Sequence, residues 1–433
     1  MLIQFRFKNF RSFRDEQVLS MVASTDKTLR DENTIHATTL SKQRLVRSAV
    51  VYGANASGKS NLVSALGFVK SFVQHSADQE LEAEIPLQPF LLDNTSSKSR
   101  SEFEVTFIHK GIRYQYGFSV DRKRVYEEWL IAYPKGQPQK WFERSPSSES
   151  KSEWYFGSQL KGEKGKLVSL TRPDVLFLSV AAKFNHEQLS SVYQWFSKYL
   201  RVIEADRDAS HFFYTAKKAL ASQPFSVKLG ELLRFADFGV ADFSIEKSES
   251  LPEDMPEELR QLITSGRGRV QWSGQFNVQL RHRVSGSMET SIPLSLDDES
   301  KGTRRLFSIG GPWIDVLQHG YTLVVDELGS SLHPLLAREL VSMFHSSDLN
   351  PRNAQLVFDT HDTTLLDSSI FRRDQVWFVE KDNGSVSHLY PLLDFSPRKE
   401  EALGRGYLRG RYGAIPILGD LAGFGAEAAD GKD

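Results

Sequence analysis

Eight consecutive residues constrain this chain more than any others: Gly53-Ala54-Asn55-Ala56-Ser57-Gly58-Lys59-Ser60. They fit G-x-x-x-x-G-K-[ST], a loop that cradles phosphate groups on its backbone N–H donors. Gly53 and Gly58 allow the backbone angles that turn those donors inward. A helix starting near Gly58 adds the positive end of its dipole. Lys59 is placed to reach the β- and γ-phosphates of a nucleotide, and the Ser60 hydroxyl to bind Mg²⁺. The flanks agree. Leu45 to Tyr52 reads as a strand that turns apolar toward its end, and Leu62, Ala65, Leu66 and Val69 recur at helical spacing. A chance glycine-rich turn would lack that strand–loop–helix context.

A second half-site lies far downstream. Thr322-Leu323-Val324-Val325-Asp326-Glu327 is an apolar strand that ends in paired carboxylates. Beside a phosphate loop, Asp326 is placed to hold Mg²⁺ and Glu327 to polarise an attacking water. Upstream, Glu299-Ser300-Lys301-Gly302-Thr303 opens a helix through Leu306, Ile309 and Val316. Its hydroxyl and free N–H groups form a second anion site, although the motif alone is no more than an ordinary helix N-cap. Further on, Gln355-Leu356-Val357-Phe358-Asp359-Thr360-His361 is another apolar strand. A histidine at its carboxyl end is positioned for the γ-phosphate or the attacking water.

The remaining chain sets the architecture. Ile3, Phe5 and Phe7 alternate with Gln4, Arg6 and Lys8 as a strand, and Asn9-Phe10-Arg11-Ser12-Phe13 follows as a basic, aromatic loop. Val18 to Met21 reads as a strand and residues 25–43 as a surface loop. Alternation over residues 101–132 predicts an antiparallel meander of about three strands. Residues 143–166 read as a loop or mobile hairpin, Val175 to Leu178 as a short apolar run, and Leu189 to Leu200 as one helical face. Helices are expected near 216–222, 226–235 and 257–263, and a β segment over 270–284. The chain has no internal repeat and no sustained heptads, which argues against a long coiled-coil arm.

Composition bounds the class. The 433 residues carry a net charge of −1, so nothing global points to nucleic acid. Absence of cysteine excludes disulfides, thiol catalysis and Cys-ligated metal, and agrees with a cytoplasmic location. The charged N-terminus is no signal peptide. No run approaches the ~20 apolar residues needed to span a bilayer, so no membrane is expected.

These pieces, in this order, resemble the ABC-type ATPase heads of the RecF and SMC class. Asn9 to Phe13 is similar to their N-terminal arginine loop, with Arg11 near the nucleotide. Ser300 and Gly302 match the signature loop, Ser330-Ser331-Leu332-His333-Pro334 the D-loop, and His361 the switch histidine. Closer still, the chain resembles the RloA-like group of bacterial AAA/ABC-type ATPases. That match spans Tyr52 to Asn61, Glu299 to Leu306 and Tyr407-Leu408-Arg409-Gly410-Arg411-Tyr412-Gly413-Ala414-Ile415-Pro416. Two departures stand out: Lys301 lies where the ABC consensus has glycine, and the Q-loop glutamine has two candidates, Gln88 and Gln115.

The resemblance implies an α/β fold, an ABC-type P-loop ATPase head with a mixed central sheet, an antiparallel β-meander and a mainly α insertion. The expected divisions are an N-terminal lobe 1–135, an insertion 136–289, a C-terminal lobe 290–417 and a flexible tail 418–433. It implies ATP and Mg²⁺ as cofactors. Arg11, Asn55, Gly58, Lys59, Ser60 and Asn61 would contact nucleotide, with Ser60 and Asp326 at Mg²⁺ and Lys59, Glu327 and His361 in hydrolysis. Ser300 and Gly302 would act in trans, so the heads would join as an ATP-bound homodimer, with higher oligomers open. Relatives are typically encoded beside a nuclease or toxin, as in PARIS and RloA/RloB-like anti-phage systems, so a sensor or scaffold controlling such an effector is expected. The rival readings are a RecF-like DNA-binding protein, for which Arg281, Arg283, Lys301, Arg304 and Arg305 are the candidates, and a small-molecule kinase.

Overall fold

The computed structural model describes the chain except residues 82, 148–151, 206–207, 237–238, 249, 251–273, 285–290, 399–400 and 417–433. Its organising element is the strand Ser48–Tyr52, in which every residue is buried. A strand apolar on both faces belongs inside a parallel sheet. It pairs in parallel with Gln355–Asp359 on one side and Val376–Lys381 on the other. The six-stranded order is Leu200–Ile203, Thr322–Val325, Gln355–Asp359, Ser48–Tyr52, Val376–Lys381, Ser387–Pro391. Only the last strand joins antiparallel. The phosphate loop, Asp326-Glu327 and Thr360-His361 therefore all leave the carboxyl ends of three adjacent parallel strands, where ligands of open α/β sheets bind.

A second, seven-stranded antiparallel sheet runs Ser152–Phe156, Gln139–Pro146, Val125–Tyr133, Ile112–Val120, Ser101–His109, Leu2–Lys8, Gln17–Ser20. The expected meander is present but does not stop at three strands. Within residues 143–166, read as loop or mobile hairpin, 143–146 and 152–156 belong to two more. Phe142, Trp154 and Phe156 pack on Phe177. Between the sheets lies the helix Lys59–His75. Its buried face joins Ala49, Val51 and Val357 of the central sheet to Phe103 and Phe118 of the meander in one cluster.

On the other face of the central sheet pack the helices Asp208–Ala221, Gln223–Phe235, Lys301–His319 and Pro334–His345. Pro312 sits inside Lys301–His319 and cannot donate to the carbonyl four residues back, that of Ser308. Thr215 Oγ1 donates to that carbonyl instead, at 2.9 Å. The two helices approach closely enough that a Cβ on Gly311 would lie 2.1 Å from Thr215 Oγ1.

The α/β class, with a mixed central sheet, antiparallel meander and inserted helices, is as expected. Several local readings change. The single strand Leu45 to Tyr52 is two, Arg44–Val46 and Ser48–Tyr52, and the first pairs with Thr34–His36 inside the supposed surface loop. Val175 to Leu178 leads into the helix Phe177–Lys183, which starts where the Glu128 carboxylate accepts from the Phe177 and Leu178 N–H groups. The single helical face over Leu189 to Leu200 becomes the helix Glu187–Gln194, a wider turn Trp195–Tyr199 and the edge strand Leu200–Ile203. The division expected at 135 lies between the paired strands Val125–Tyr133 and Gln139–Pro146, and the one expected at 289 lies outside the described residues. The meander runs on to Phe156, Leu200–Ile203 completes the central sheet, and Gln275–Arg283 pairs with Ser291–Ser295. The helix expected over 257–263, Val270 and Trp272, and the tail 418–433 lie outside the described residues. No helix among the described residues is long and apolar enough to cross a membrane.

Candidate nucleotide site

Gly58 has φ 116°, and a Cβ there would meet Ser387 Oγ at 2.6 Å and Ser12 Oγ at 2.8 Å. Gly53 works differently from the sequence reading. It is absent from the positive-φ residues, and its need is space: a Cβ would lie 2.4 Å from the Val379 carbonyl. The left-handed turn between them is made by Ala56, at φ 60°. Lys59 is buried and donates from Nζ to the Gly53 and Ala54 carbonyls, both at 3.0 Å. Asn55 and Ser60 are exposed on the open side of the loop.

The acidic residues meet Lys59 from the neighbouring strands. Asp326 follows Thr322–Val325, and its N–H donates to the Ile203 carbonyl at 2.9 Å. Glu327 turns at φ 53°, its N–H held by Asp359 Oδ1 at 3.2 Å. Asp359 is wholly buried, and burial, reinforced by the Asp326 charge, pushes its carboxyl well above the usual range. Burial draws Lys59 below the ordinary lysine range, against the pull of Asp359, Glu327 and Asp326. Partial burial and the Lys59 charge lower His361, with Glu327 opposing. A neutral imidazole at pH 7 follows. Glu327, Gly329, Ser330, Thr360, His361 and Asp362 line a cavity of about 250 Å³.

The residues fit Mg²⁺. Asp326 Oδ1 and Asp359 Oδ2 are buried oxygens with no donor on them, and Ser60 opens the loop helix with an exposed hydroxyl. Among the described residues no group of three or more His, Cys, Asp or Glu could hold a metal alone.

The basic N-terminal loop docks on the phosphate-loop helix. Asn9 and Arg11 are both left-handed, at φ 55° and 50°. Arg11 Nη1 donates to Ser64 Oγ at 2.9 Å and Asn61 Oδ1 at 3.4 Å. Asn61 Nδ2 donates to Ser12 Oγ at 2.7 Å. Ser387 Oγ lies 2.5 Å from the Ser57 carbonyl and 2.8 Å from Ser12 Oγ, tying both loops together. Of the two candidate glutamines, Gln88 accepts from the Arg11 N–H at 2.7 Å through its main-chain carbonyl. Gln115 is committed to Glu104 and Tyr133 within the meander.

Ser300 caps the helix Lys301–His319, its Oγ accepting from the Thr303 N–H at 3.2 Å. Gly302 packs on the D-loop, where a Cβ would lie 2.7 Å from the Ser331 carbonyl. These contacts involve Thr303 and Ser331, not the Lys59 cluster. Lys301, Arg304 and Arg305 line an adjoining cavity of about 440 Å³. The C-terminal motif buttresses the phosphate loop from behind: Tyr407 packs on Tyr52, the residue before Gly53, and Tyr407 and Tyr412 stack on Phe378.

Asp359, Ser387 and Ser12 carry no role in the sequence reading. Asp359 had a signal, a carboxylate at the end of a buried apolar strand beside a histidine. Ser387 had none, being an isolated serine 330 residues from the loop it touches.

A family model described as "AAA domain, putative AbiEii toxin, Type IV TA system" matches residues 48–367. Among solved structures, the SMC head domain from Thermotoga maritima is similar at 14% identity, covering 90% of this chain and 98% of that one, with TM-score 0.41. An SMC head bound to the C-terminal winged-helix domain of ScpA is similar at 13% identity, with 90% and 96% covered and TM-score 0.37. An Smc head with an extended coiled coil, bound to the C-terminal domain of ScpA and derived from Pyrococcus furiosus, is similar at 12% identity, with 91% and 97% covered and TM-score 0.37. No curated protein matches the chain significantly.

Proposed function

This chain belongs to the AAA-domain family matched over residues 48–367, and from that premise we propose that it is an ATPase whose cycle controls a partner effector. The observation that carries the ATPase reading is the single cluster of Lys59, Asp326, Glu327, Asp359 and His361 at the ends of three adjacent parallel strands. Loop N–H groups and Lys59 hold the phosphates, with Arg11 and Asn61 beside them. Ser60 and Asp326 would hold Mg²⁺, which would supply positive charge opposite the phosphates. Glu327 accepts the proton of the attacking water, and neutral His361 orients that water or the γ-phosphate.

Ser300 and Gly302 complete the site of a second copy, so the nucleotide joins two protomers and hydrolysis releases them. Glu327→Gln tests this. Turnover should fall by ~10²–10⁴-fold with ATP binding retained, and light scattering should show an ATP-dependent dimer. A variant that hydrolyses ATP like the wild type, or stays monomeric with ATP, contradicts the reading.

The resemblance to the RloA-like group and the family match support a cytoplasmic role in anti-phage defence, as sensor or scaffold for a nuclease or toxin. Affinity purification of the tagged chain from its native operon tests that role. A co-eluting nuclease or toxin supports it. A lone ATP-dependent dimer that retains DNA favours a RecF-like repair function.

A further inference from the structure

We infer that Asp359 is a positioning residue of this site: it fixes the backbone turn that carries Glu327 and so sets where that carboxylate points. The inference rests on the ATPase reading for its catalytic consequence, but its structural core is independent of it. Glu327 stands at φ 53°, a left-handed conformation that a residue with a side chain holds only when its surroundings enforce it. Asp359 supplies the enforcement at two successive donors. Its Oδ1 accepts from the Glu327 N–H at 3.2 Å, and its main-chain carbonyl accepts from the Leu328 N–H at 3.1 Å.

Asp359 is itself immobile. It is wholly buried, lies in register with Val51 of the strand before the phosphate loop, and is followed by Thr360, whose N–H donates to the Val51 carbonyl. The Glu327 turn is thus referenced to the same strand that delivers Lys59. The second carboxyl oxygen, Oδ2, is buried without a donor, as is Asp326 Oδ1, and the Asp326 charge lies close enough to act on Asp359. An asparagine would keep the acceptor for the Glu327 N–H and offer an amide to Asp326. A leucine of similar shape would remove the acceptor and leave Asp326 facing hydrocarbon.

The two substitutions therefore separate a positioning role from direct metal ligation. In the full-length chain, Asp359→Leu should lower kcat by about 30–100-fold, the scale of a misplaced catalytic group, with the ATP dissociation constant changed less than about threefold. Asp359→Asn should restore kcat to within about threefold of the wild type. Hydrogen exchange over residues 326–330 supplies a readout that needs no turnover: exchange should be slow in the wild type and Asp359→Asn, and at least about tenfold faster in Asp359→Leu. If Asp359→Leu does not fold, Asp359→Ala carries the same comparison.

Unchanged exchange in the leucine or alanine variant overturns the inference, whether or not the protein hydrolyses ATP. So does an Asp359→Asn variant as slow as Asp359→Leu with weakened Mg²⁺-dependent nucleotide binding, the pattern of a direct metal ligand. A wild-type protein that shows the exchange pattern but no ATP turnover contradicts the ATPase reading alone.

Discussion

Gly58 shows how much one position in this site carries. Its φ of 116° is open to glycine, and the space a Cβ would occupy already holds the Ser387 and Ser12 hydroxyls. Those hydroxyls join the phosphate loop to the arginine loop, so a larger residue disturbs both. Gly58→Ala is expected to destabilise the protein by about 1–2 kcal/mol and to weaken ATP binding at least ~10-fold, as N–H donors turn out of line. Thermal melting and calorimetric titration with ATP check the two effects, and near-normal affinity would contradict the geometry. Further residues around the site have side chains and left-handed backbones, among them Asn9, Arg11, Ala56, Glu327 and Ser331. Strain of this kind gathers where a fold must aim particular groups.

At the scale of elements, the helix Lys301–His319 has to do two things. It begins on Ser300, whose hydroxyl caps it, and it must pass Gly310-Gly311-Pro312 without breaking. The proline would orphan the Ser308 carbonyl, and Thr215 from the neighbouring helix satisfies it. Thr215 is fully buried, so no water replaces it. Thr215→Val keeps the shape and removes the donor, and should lower unfolding stability by about 1–3 kcal/mol, measured by chemical denaturation. A loss below ~0.5 kcal/mol would mean the carbonyl finds another donor. Since this helix presents the Ser300 loop, the same variant should also weaken ATP-dependent dimerisation, read by light scattering.

For the whole molecule, the seven-stranded sheet meets the turn Trp195–Tyr199 through a buried histidine. His109 ends the strand Ser101–His109, is 3% exposed, and packs edge-on against Tyr199. Burial, with the Lys110 charge adding to it, pushes its imidazole from 6.5 down to about 4. Between those values the unfolded chain binds a proton that the folded chain does not. Stability is therefore complete above about 6.5 and falls as pH drops toward 4, by up to ~1.4 kcal/mol per pH unit. The melting temperature should drop from pH 7 to pH 5, and His109→Phe, which keeps a ring against Tyr199 and cannot charge, should drop less. Equal slopes in both proteins would place the acid sensitivity elsewhere.

What the sequence determined by itself was local. The loop Gly53 to Ser60 announced phosphate because glycine, lysine and serine at fixed spacing are chemistry in one dimension. The apolar strands ending in Asp326-Glu327 and Thr360-His361 announced buried strands, because residues buried on both faces cannot alternate. The N-cap at Ser300 and the alternation over residues 101–132 were legible for the same reason. The tertiary structure decided everything that depends on closing long loops. It brought Ser387 and Ser12 onto Gly58, made Asp359 rather than a nearer residue the partner of Glu327, and gave Gly53 a steric role in place of a conformational one. It set the Gln88 main chain beside Arg11 and engaged the Gln115 side chain inside the meander. It also placed the polar residues 143–146 and 152–156 in sheet, because burial of Phe142, Trp154 and Phe156 against Phe177 outweighs the local preference of the serines around them.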